Sequence, residues 1–228
     1  MSKKVVLLSG GLDSTTLLGM VVKEFGSENV VALTIFYGQR HDREIKASND
    51  VVKFYNVEHI VNDLSPAFKF SDTPLLKNGK GEIPNKSYAE QLKEKPGIVT
   101  TYVPFRNGLF LSFATTIAFS IGADTVYYGA HADDAAGAAY PDCTPSFIES
   151  MKISIFEGTG HKVMLKAPFF NSHKSDIVRM GTEIGVPYEL TWSCYRGGEK
   201  ACGVCATCID RKEAFRLNGL VDPIEYEN

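Results

Sequence analysis

The sequence predicts an α/β fold with a doubly wound, mainly parallel sheet and helices on both of its faces. Short apolar runs rich in valine and isoleucine alternate along the chain with longer amphipathic segments, which is the pattern of βαβ units. Hydrophobic residues make up 44% and charged residues 22% of the 228 positions, so the chain has a globular composition and the length to bury a core. No apolar run approaches the roughly 20 residues that a membrane helix needs.

The first part of the chain contains three predicted strands and two predicted helices. The strands are short apolar runs at residues 5–8, 30–37 and 57–61. Amphipathic segments follow the first two strands, at residues 15–25 and 41–55. We expect Asp13 and Ser14 to cap the first helix, because side-chain oxygens at an N-cap accept hydrogen bonds from the free N–H groups of the first turn.

Residues 62–101 interrupt this alternation. Their four prolines and three glycines predict an irregular insertion or a lid. The alternation then resumes with helices at 106–122, 145–157, 172–184 and about 209–217, strands at 124–129 and 163–166, and a loop at 130–145. Because ligands bind beyond the carboxyl ends of parallel strands, we expect residues 9–14, 37–41 and 129–134 to share one rim of the sheet.

The sequence Ser9-Gly10-Gly11-Leu12-Asp13-Ser14, between the first strand and the first helix, is the strongest local motif. Its glycines let the backbone approach a ligand closely, and the start of the helix offers free N–H groups and a partial positive charge. The motif therefore predicts a polyphosphate site. It lacks the lysine of a Walker loop and the G-x-G-x-x-G of dinucleotide-binding proteins.

Four of the five cysteines, Cys194, Cys202, Cys205 and Cys208, follow the pattern C-x7-C-x2-C-x2-C near the C-terminus. In a reducing compartment this spacing indicates metal ligation, with a structural zinc ion and an iron–sulfur cluster as the two possibilities. The fifth, Cys143, stands apart, and its default role is that of a small buried hydrophobic residue.

The phosphate motif resembles the Ser-Gly-Gly-x-Asp-Ser signature of the PP-loop ATP pyrophosphatases. Enzymes of that superfamily cleave ATP between its α and β phosphates and transfer AMP to a substrate oxygen. The resemblance implies a Rossmann-like nucleotide-binding domain over residues 1–190, with ATP and Mg²⁺ as substrate and Asp13 acting through the Mg²⁺ ion. The implied ATP-binding residues are Leu8, Ser9, Gly10, Gly11, Leu12, Asp13, Ser14, Thr15, Thr16, Leu17 and Leu18.

Further motifs occur in a fixed order and narrow this resemblance. They are Tyr37-Gly38-Gln39-Arg40-His41, Val103-Pro104-Phe105-Arg106-Asn107, Tyr140-Pro141-Asp142-Cys143 and Thr191-Trp192-Ser193-Cys194-Tyr195. Together with the cysteines they resemble the 7-cyano-7-deazaguanine synthase family of queuosine biosynthesis, from about residue 5 to residue 223. Two positions depart from the family pattern, since Phe105 stands where glycine is expected and His131 where asparagine is common.

The resemblance to that family implies an AMP-forming ligase that makes carbon–nitrogen bonds. Its expected substrates are 7-carboxy-7-deazaguanine, ammonia and ATP. It also implies one structural zinc ion per chain in a C-terminal segment, residues 191–228, and a cytoplasmic homodimer. We expect no membrane contact, and the net charge of −3 argues against direct nucleic-acid binding.

Six charged residues are candidates for substrate contacts or catalysis. Arginine suits bidentate binding of phosphate or carboxylate, and an aspartate can accept two N–H groups from a guanine-like edge. Asp142 is our candidate for that last role, with a turn role as the alternative. The candidates are Arg40, Arg106, Asp133, Asp134, Asp142 and Lys174.

Other functions remain open on the sequence. A different AMP-forming PP-loop enzyme, such as an amide ligase or a tRNA thiolase, shares the phosphate motif. A relative that attaches a deazaguanine to a protein is a further alternative, as is a nucleotide-binding module without catalysis.

Overall fold

The structure is a computed structural model that describes residues 2–136 and 139–227. Its core is a five-stranded sheet in the order β3-β2-β1-β4-β5, and every neighbouring pair is parallel. The strands are β1 Lys4–Leu7, β2 Val30–Phe36, β3 Glu58–Asp63, β4 Thr125–Tyr127 and β5 Met164–Lys166. The predicted α/β class with a parallel sheet is confirmed.

Strand β1 lies at the centre of the sheet. Lys4 pairs with Val30 of β2 on one side and with Thr125 of β4 on the other. The chain moves outward from β1 to β3 and then crosses back to β4, so the strand order reverses between β1 and β4. In a doubly wound sheet this point opens a crevice beyond the carboxyl ends of the two strands.

Helices cover both faces of the sheet. Side chains of alternate strand residues point to opposite faces, so Val6 and Ala32 enter one core and Val5 and Leu33 the other. The first core is closed by α1, α2, α7 and α8, and the second by α4 and α6. The helices are α1 Leu12–Phe25, α2 Arg43–Tyr55, α3 Tyr88–Glu94, α4 Arg106–Ser120, α5 Ala132–Ala135, α6 Pro145–Gly158, α7 Lys174–Glu183 and α8 Ala206–Leu217. None of the helices in the described part of the chain is long and apolar enough to cross a membrane.

The start of α1 differs from the prediction. The helix begins at Leu12 with Gly11 as N-cap, and no side chain caps it. Asp13 and Ser14 therefore lie inside the first turn, and the prediction that they cap the helix is wrong. Gly10 has a φ of 83°, which turns the chain directly after the strand and lets the helix begin earlier than its polar residues suggested.

Residues 62–101 contain the short helix α3, which is absent from the sequence-based prediction of an irregular segment. Ser87 and Glu90 form a capping box at its start. Elsewhere in the segment Phe68, Leu76 and Ile83 pack into a cluster that includes the four C-terminal cysteines. The predicted loop at 130–145 contains α5, and its residues 137 and 138 lie outside the described residues.

The backbone conformation of Phe105 is one that glycine adopts easily, which fits the glycine expected before Arg106. Its φ of 53° lies in the left-handed region, which side chains other than glycine adopt at a cost. The ring of Phe105 makes an edge-to-face contact with Phe147, and its backbone N–H donates to the hydroxyl of Tyr102 at 2.8 Å. These contacts hold a residue that the local backbone does not favour.

Candidate active site

A cleft opens at the point where the strand order reverses, between the carboxyl ends of β1, β2 and β4. The structure brings the three expected rim segments together in its wall. The wall includes Ser9, Gly11, Asp13, Ser14, Tyr37, Gln39, Gly129, Ala130 and Asp134. Because helices start where parallel strands end, residues from the first turns of α1, α2, α4, α7 and α8 also line this cleft.

The loop after β1 presents a closely packed turn to the cleft. The hydroxyls of Ser9 and Ser14 lie 3.0 Å apart, and the backbone N–H of Gly11 donates to the Ser9 hydroxyl at 3.2 Å. A Cβ atom added to Gly10 would lie 2.4 Å from the carbonyl oxygen of Glu44, so α2 packs directly on the loop. The uncapped start of α1 leaves N–H groups free to bind an anion.

The residues that the resemblance assigned to ATP fall into three groups. Leu8, Ser9, Gly11, Asp13 and Ser14 line the cleft. Gly10 packs against α2, and the remaining side chains face the interior, where they hold α1 on the sheet. These interior residues are Leu12, Thr15, Thr16, Leu17 and Leu18.

Asp13 and Lys174 form an ion pair across the cleft, with Nζ and Oδ2 3.2 Å apart. Nε2 of His131, a side chain 2% exposed, lies 3.6 Å from the same carboxylate. Burial alone would raise the pKa of Asp13, but the charges of Lys174 and His131 hold it well below its usual range. Burial would lower the pKa of Lys174, and Asp13 instead raises it. Asp13 therefore carries a negative charge that its neighbours balance.

Asp133 and Asp134 occupy different environments. Asp133 accepts hydrogen bonds from Nδ1 of His173 at 2.7 Å and from the backbone N–H of Lys174 at 2.8 Å, so it fixes the start of α7. It is not among the residues that line the cleft. Asp134 does line it, 3.3 Å from Nε2 of His131.

The two candidate arginines differ in their position relative to the cleft. Arg106 lies in the cleft wall, with its guanidinium carbon 5.2 Å from the centre of the Tyr37 ring and Nη1 3.4 Å from the Tyr37 hydroxyl. Arg40 is exposed and does not line the cleft.

Asp142 lies behind the cleft wall. One of its oxygens accepts a hydrogen bond from the backbone N–H of Asn107 at 2.9 Å, so the carboxylate caps the first turn of α4. Desolvation raises the pKa of Asp142. The neighbouring Cys143 does line the cleft, and its sulfur accepts a hydrogen bond from Nδ2 of Asn107 at 3.2 Å. The geometry shows a structural contact for Asp142 and leaves its expected contact with a guanine-like edge as a prediction.

Sequence reasoning missed Glu44 in the cleft wall, and it missed the contacts between tyrosines that stand in the quoted motifs. Glu44 is a half-buried glutamate in the first turn of α2, where a glutamate ordinarily indicates only a favourable interaction with the helix dipole. Tyr140 and Tyr195 also line the cleft, and their hydroxyls meet that of Tyr88, with O···O distances of 2.6–3.3 Å within the set. Contacts between residues so distant in the chain leave no signal in a single sequence.

The four C-terminal cysteines converge on one point. Their sulfurs lie within 4.8 Å of one another, and those of Cys202 and Cys208 are 4.0 Å apart. Sulfurs bound at about 2.3 Å to one tetrahedral zinc ion are separated by about 3.8 Å. A [4Fe–4S] cluster needs more space, because its cysteines bind different iron atoms. The donor set fits one structural zinc ion, as expected.

Comparison with known proteins assigns the family. The family model of "Queuosine biosynthesis protein QueC" matches residues 3–219 of this chain. The chain belongs to the QueC family. Among its relatives, the 7-cyano-7-deazaguanine synthase of Caldicellulosiruptor saccharolyticus is 43% identical over 99% of this chain and 96% of its own length. The synthase of Archaeoglobus fulgidus is 42% identical, and the match covers 97% of this chain and 89% of the relative. The synthase of Thermoplasma acidophilum is 44% identical, and the match covers 99% of this chain and 92% of the relative.

Solved structures resemble this QueC family member in fold. An NMN synthetase from Francisella tularensis superposes with a TM-score of 0.52 at 17% identity and covers 96% of this chain and 78% of its own. The U34-tRNA thiolase NcsA from Methanococcus maripaludis, solved with its [4Fe–4S] cluster, superposes with a TM-score of 0.50 at 15% identity. The match covers 96% of this chain and 64% of the thiolase. At these identities the likeness concerns the fold alone, and it agrees with the predicted α/β class.

Proposed function

We propose that this protein converts 7-carboxy-7-deazaguanine and ammonia to 7-cyano-7-deazaguanine, with ATP as the activating substrate. The observation that carries the proposal is its near full-length identity of 40–44% to relatives named 7-cyano-7-deazaguanine synthase. The cleft supports it, because an uncapped helix start, two serine hydroxyls and Lys174 form a site suited to pyrophosphate.

The reaction must remove two oxygen atoms that are poor leaving groups. In the first half, the substrate carboxylate attacks the α phosphate of ATP, pyrophosphate leaves, and an acyl adenylate forms. Ammonia then displaces AMP and gives the primary amide. In the second half, the amide oxygen attacks a second ATP, and loss of AMP from the adenylated amide gives the nitrile.

The chain contributes mainly positioning and charge stabilisation to this chemistry. Ser9, Gly11 and Ser14 hold the pyrophosphate portion, and Asp13 binds its Mg²⁺ ion while it also orients Lys174. Arg106 is placed to hold the reacting oxygen or the α phosphate, because its guanidinium faces the cleft from the start of α4. Arg40 is kept only as a candidate for a longer-range contact with phosphate.

The zinc ion has a structural role in this proposal. Cys194, Cys202, Cys205 and Cys208 all bind it, so none of their thiolates is free to act as a nucleophile. The ion holds the segment around residue 194 against the cleft, where Ser193 and Tyr195 contribute to the wall.

The test supplies purified protein with ATP, Mg²⁺, ammonium and 7-carboxy-7-deazaguanine and identifies the products by mass. We expect the nitrile, with two AMP and two pyrophosphate formed per turnover. The synthetic amide should also give nitrile, with one ATP and without ammonium, because each half-reaction removes one oxygen. An amide that accumulates and is inert when supplied back would leave amide ligation as the activity. ADP and orthophosphate as products would contradict the role of the phosphate loop.

The assembly and location of the protein are two further proposals. A homodimer in the cytoplasm follows from the family resemblance, and a reducing compartment keeps the four zinc-binding thiols available. Sedimentation of the purified protein at micromolar concentration measures the first, and fractionation of the source cells the second.

A further inference from the structure

Glu44 is the acidic side chain of the cleft wall that makes no hydrogen bond or ion pair with the described part of the protein. The other two carboxylates of the wall are engaged. Asp13 pairs with Lys174 at 3.2 Å, and Asp134 lies 3.3 Å from Nε2 of His131. Glu44 is half-buried in this wall, and a carboxyl without a protein partner has its hydrogen-bonding capacity available for a ligand.

The surroundings of Glu44 place it in the same cleft as the phosphate loop and Arg106. Its backbone packs on the loop at Gly10, and its carboxyl shares the cleft with Arg106 from α4 and Tyr37 from the end of β2. Tyr195 closes the same wall, and on the loop side the Asp13–Lys174 pair is internally neutral. Burial raises the pKa of Glu44 to about 7, although the charge of Arg106 acts in the opposite direction.

The proposed reaction needs a proton acceptor at this place. Ammonia brings three hydrogens, and the nitrile nitrogen retains none of them. One proton is lost when ammonia displaces AMP, a second when the amide oxygen is adenylated, and a third when AMP leaves to form the nitrile. Formation of the first acyl adenylate, by contrast, releases no proton, because an ionised carboxylate attacks ATP directly.

We propose that the Glu44 carboxylate is the general base that takes these protons from the substrate nitrogen. The inference rests on the proposed function and extends it to a residue with no role in phosphate binding. Arg106 assists by balancing the negative charge of the base before each transfer. Protonated Glu44 returns its proton to water through the open mouth of the cleft, so each transfer leaves the base ready for the next.

The test separates the step that releases no proton from the steps that release one. The variants are Glu44→Gln, which keeps the shape but cannot ionise, and Glu24→Gln as a control on the exposed face of α1. Exchange of labelled pyrophosphate into ATP, with 7-carboxy-7-deazaguanine and no ammonium, reports the first adenylation. We expect Glu44→Gln to retain this exchange within a few fold and to lose 10²–10⁴-fold in kcat for conversion of the amide to the nitrile.

The pH profile provides a second measurement with the amide as substrate, so that ionisation of ammonium does not contribute. The base must be ionised, and we expect kcat of the wild-type protein to rise with pH and level off above about 7, as the pKa of Glu44 requires. The residual activity of Glu44→Gln should lack this rise, and that of Glu24→Gln should keep it.

Three results would contradict the role of Glu44 as general base. If exchange is lost together with nitrile formation, Glu44 binds a substrate, for example the N–H groups of its purine-like edge, and the inference is overturned. Full activity of Glu44→Gln would overturn it as well, while the wild-type protein still supports the proposed function. A wild-type protein that exchanges pyrophosphate but forms neither amide nor nitrile would overturn the proposed function and this inference with it.

Discussion

The charge state of each carboxyl in the cleft depends on which side chains lie next to it. Asp13 is held ionised by Lys174 and His131, whereas Glu44 faces the same space with no protein partner among the described residues. Two carboxylates in one cleft therefore differ in their readiness to bind a proton. That separation is typical of sites that combine charge stabilisation with proton transfer.

The raised pKa of Glu44 predicts a pH-dependent cost in stability. Its folded pKa of about 7 exceeds the ordinary value of 4.5, so the folded state binds more protons and loses stability as pH rises between these values. Replacing the charge in Glu44→Gln should raise the free energy of unfolding at pH 8 by about 1–3 kcal/mol and change it little near pH 4. Urea denaturation at both pH values measures this difference.

The control for this prediction is Glu24→Gln, an exposed position outside the cleft where a substitution should change the free energy of unfolding little. Equal stability of Glu44→Gln and the wild-type protein at pH 8 would mean that the carboxyl is well solvated in the folded state.

At the scale of elements, the cleft is built from helix starts. Strands β1, β2 and β4 end at one edge, and the helices that follow them begin there, so their free N–H groups point towards the same space. This arrangement was predictable, because the alternation of strands and helices already implied a shared rim. The residue that caps an individual helix was not predictable, since Gly11 rather than Asp13 or Ser14 is the N-cap of α1.

Long-range contacts mark the limit of what the sequence could predict. The predicted contact of Asp142 with the substrate stays a prediction, and the sequence did not reveal that its carboxylate accepts a hydrogen bond from the backbone of Asn107, a residue 35 positions away. Nothing in the sequence distinguished Glu44 from the other charged residues of α2, but the fold places it half-buried in the cleft that also holds Arg106. The four C-terminal cysteines, by contrast, could be recognised as metal ligands from the sequence, because their spacing is typical of a metal site.

The zinc site predicts a local effect of metal loss. Cys205 is the N-cap of α8, and Cys208 lies in the first turn of that helix. We expect Cys205→Ser to lose the ion and to expose residues 194–217, since zinc binding contributes about 10–16 kcal/mol to small zinc-finger peptides. Elemental analysis and amide hydrogen exchange should show zinc falling from one per chain and faster exchange in α8, with α1 little changed.

Cys143→Ser is the matched control for metal content, because Cys143 lies outside the cluster and should leave zinc at one per chain. Iron in the wild-type protein, or full zinc content in Cys205→Ser, would contradict the assignment.

At the scale of the whole molecule, the C-terminal segment is joined to the phosphate loop. The backbone N–H of Trp192 donates to the carbonyl of Gly10 at 2.9 Å. Arg211 of α8 holds that same segment, with Nη1 2.6 Å from the Thr191 hydroxyl and Nη2 3.1 Å from the carbonyl of Tyr188. The zinc-binding segment and the N-terminal loop therefore form one packed unit, although nearly the whole chain separates them.

Arg211 is the key side chain of this connection, and its removal should destabilise the entire protein. The side chain is 1% exposed, and its Nε and Nη2 bind Asp222 at 2.7 and 2.9 Å. Arg211→Met leaves the Asp222 charge buried without its cation, so we expect a loss of about 3–5 kcal/mol in the free energy of unfolding. Arg216→Met, on the exposed side of the same helix, should move the urea midpoint little. The double variant Arg211→Met/Asp222→Asn should recover part of the loss, because it no longer buries an unpaired charge. A midpoint for Arg211→Met equal to that of Arg216→Met would show that the two ends of the chain are stabilised independently of this ion pair.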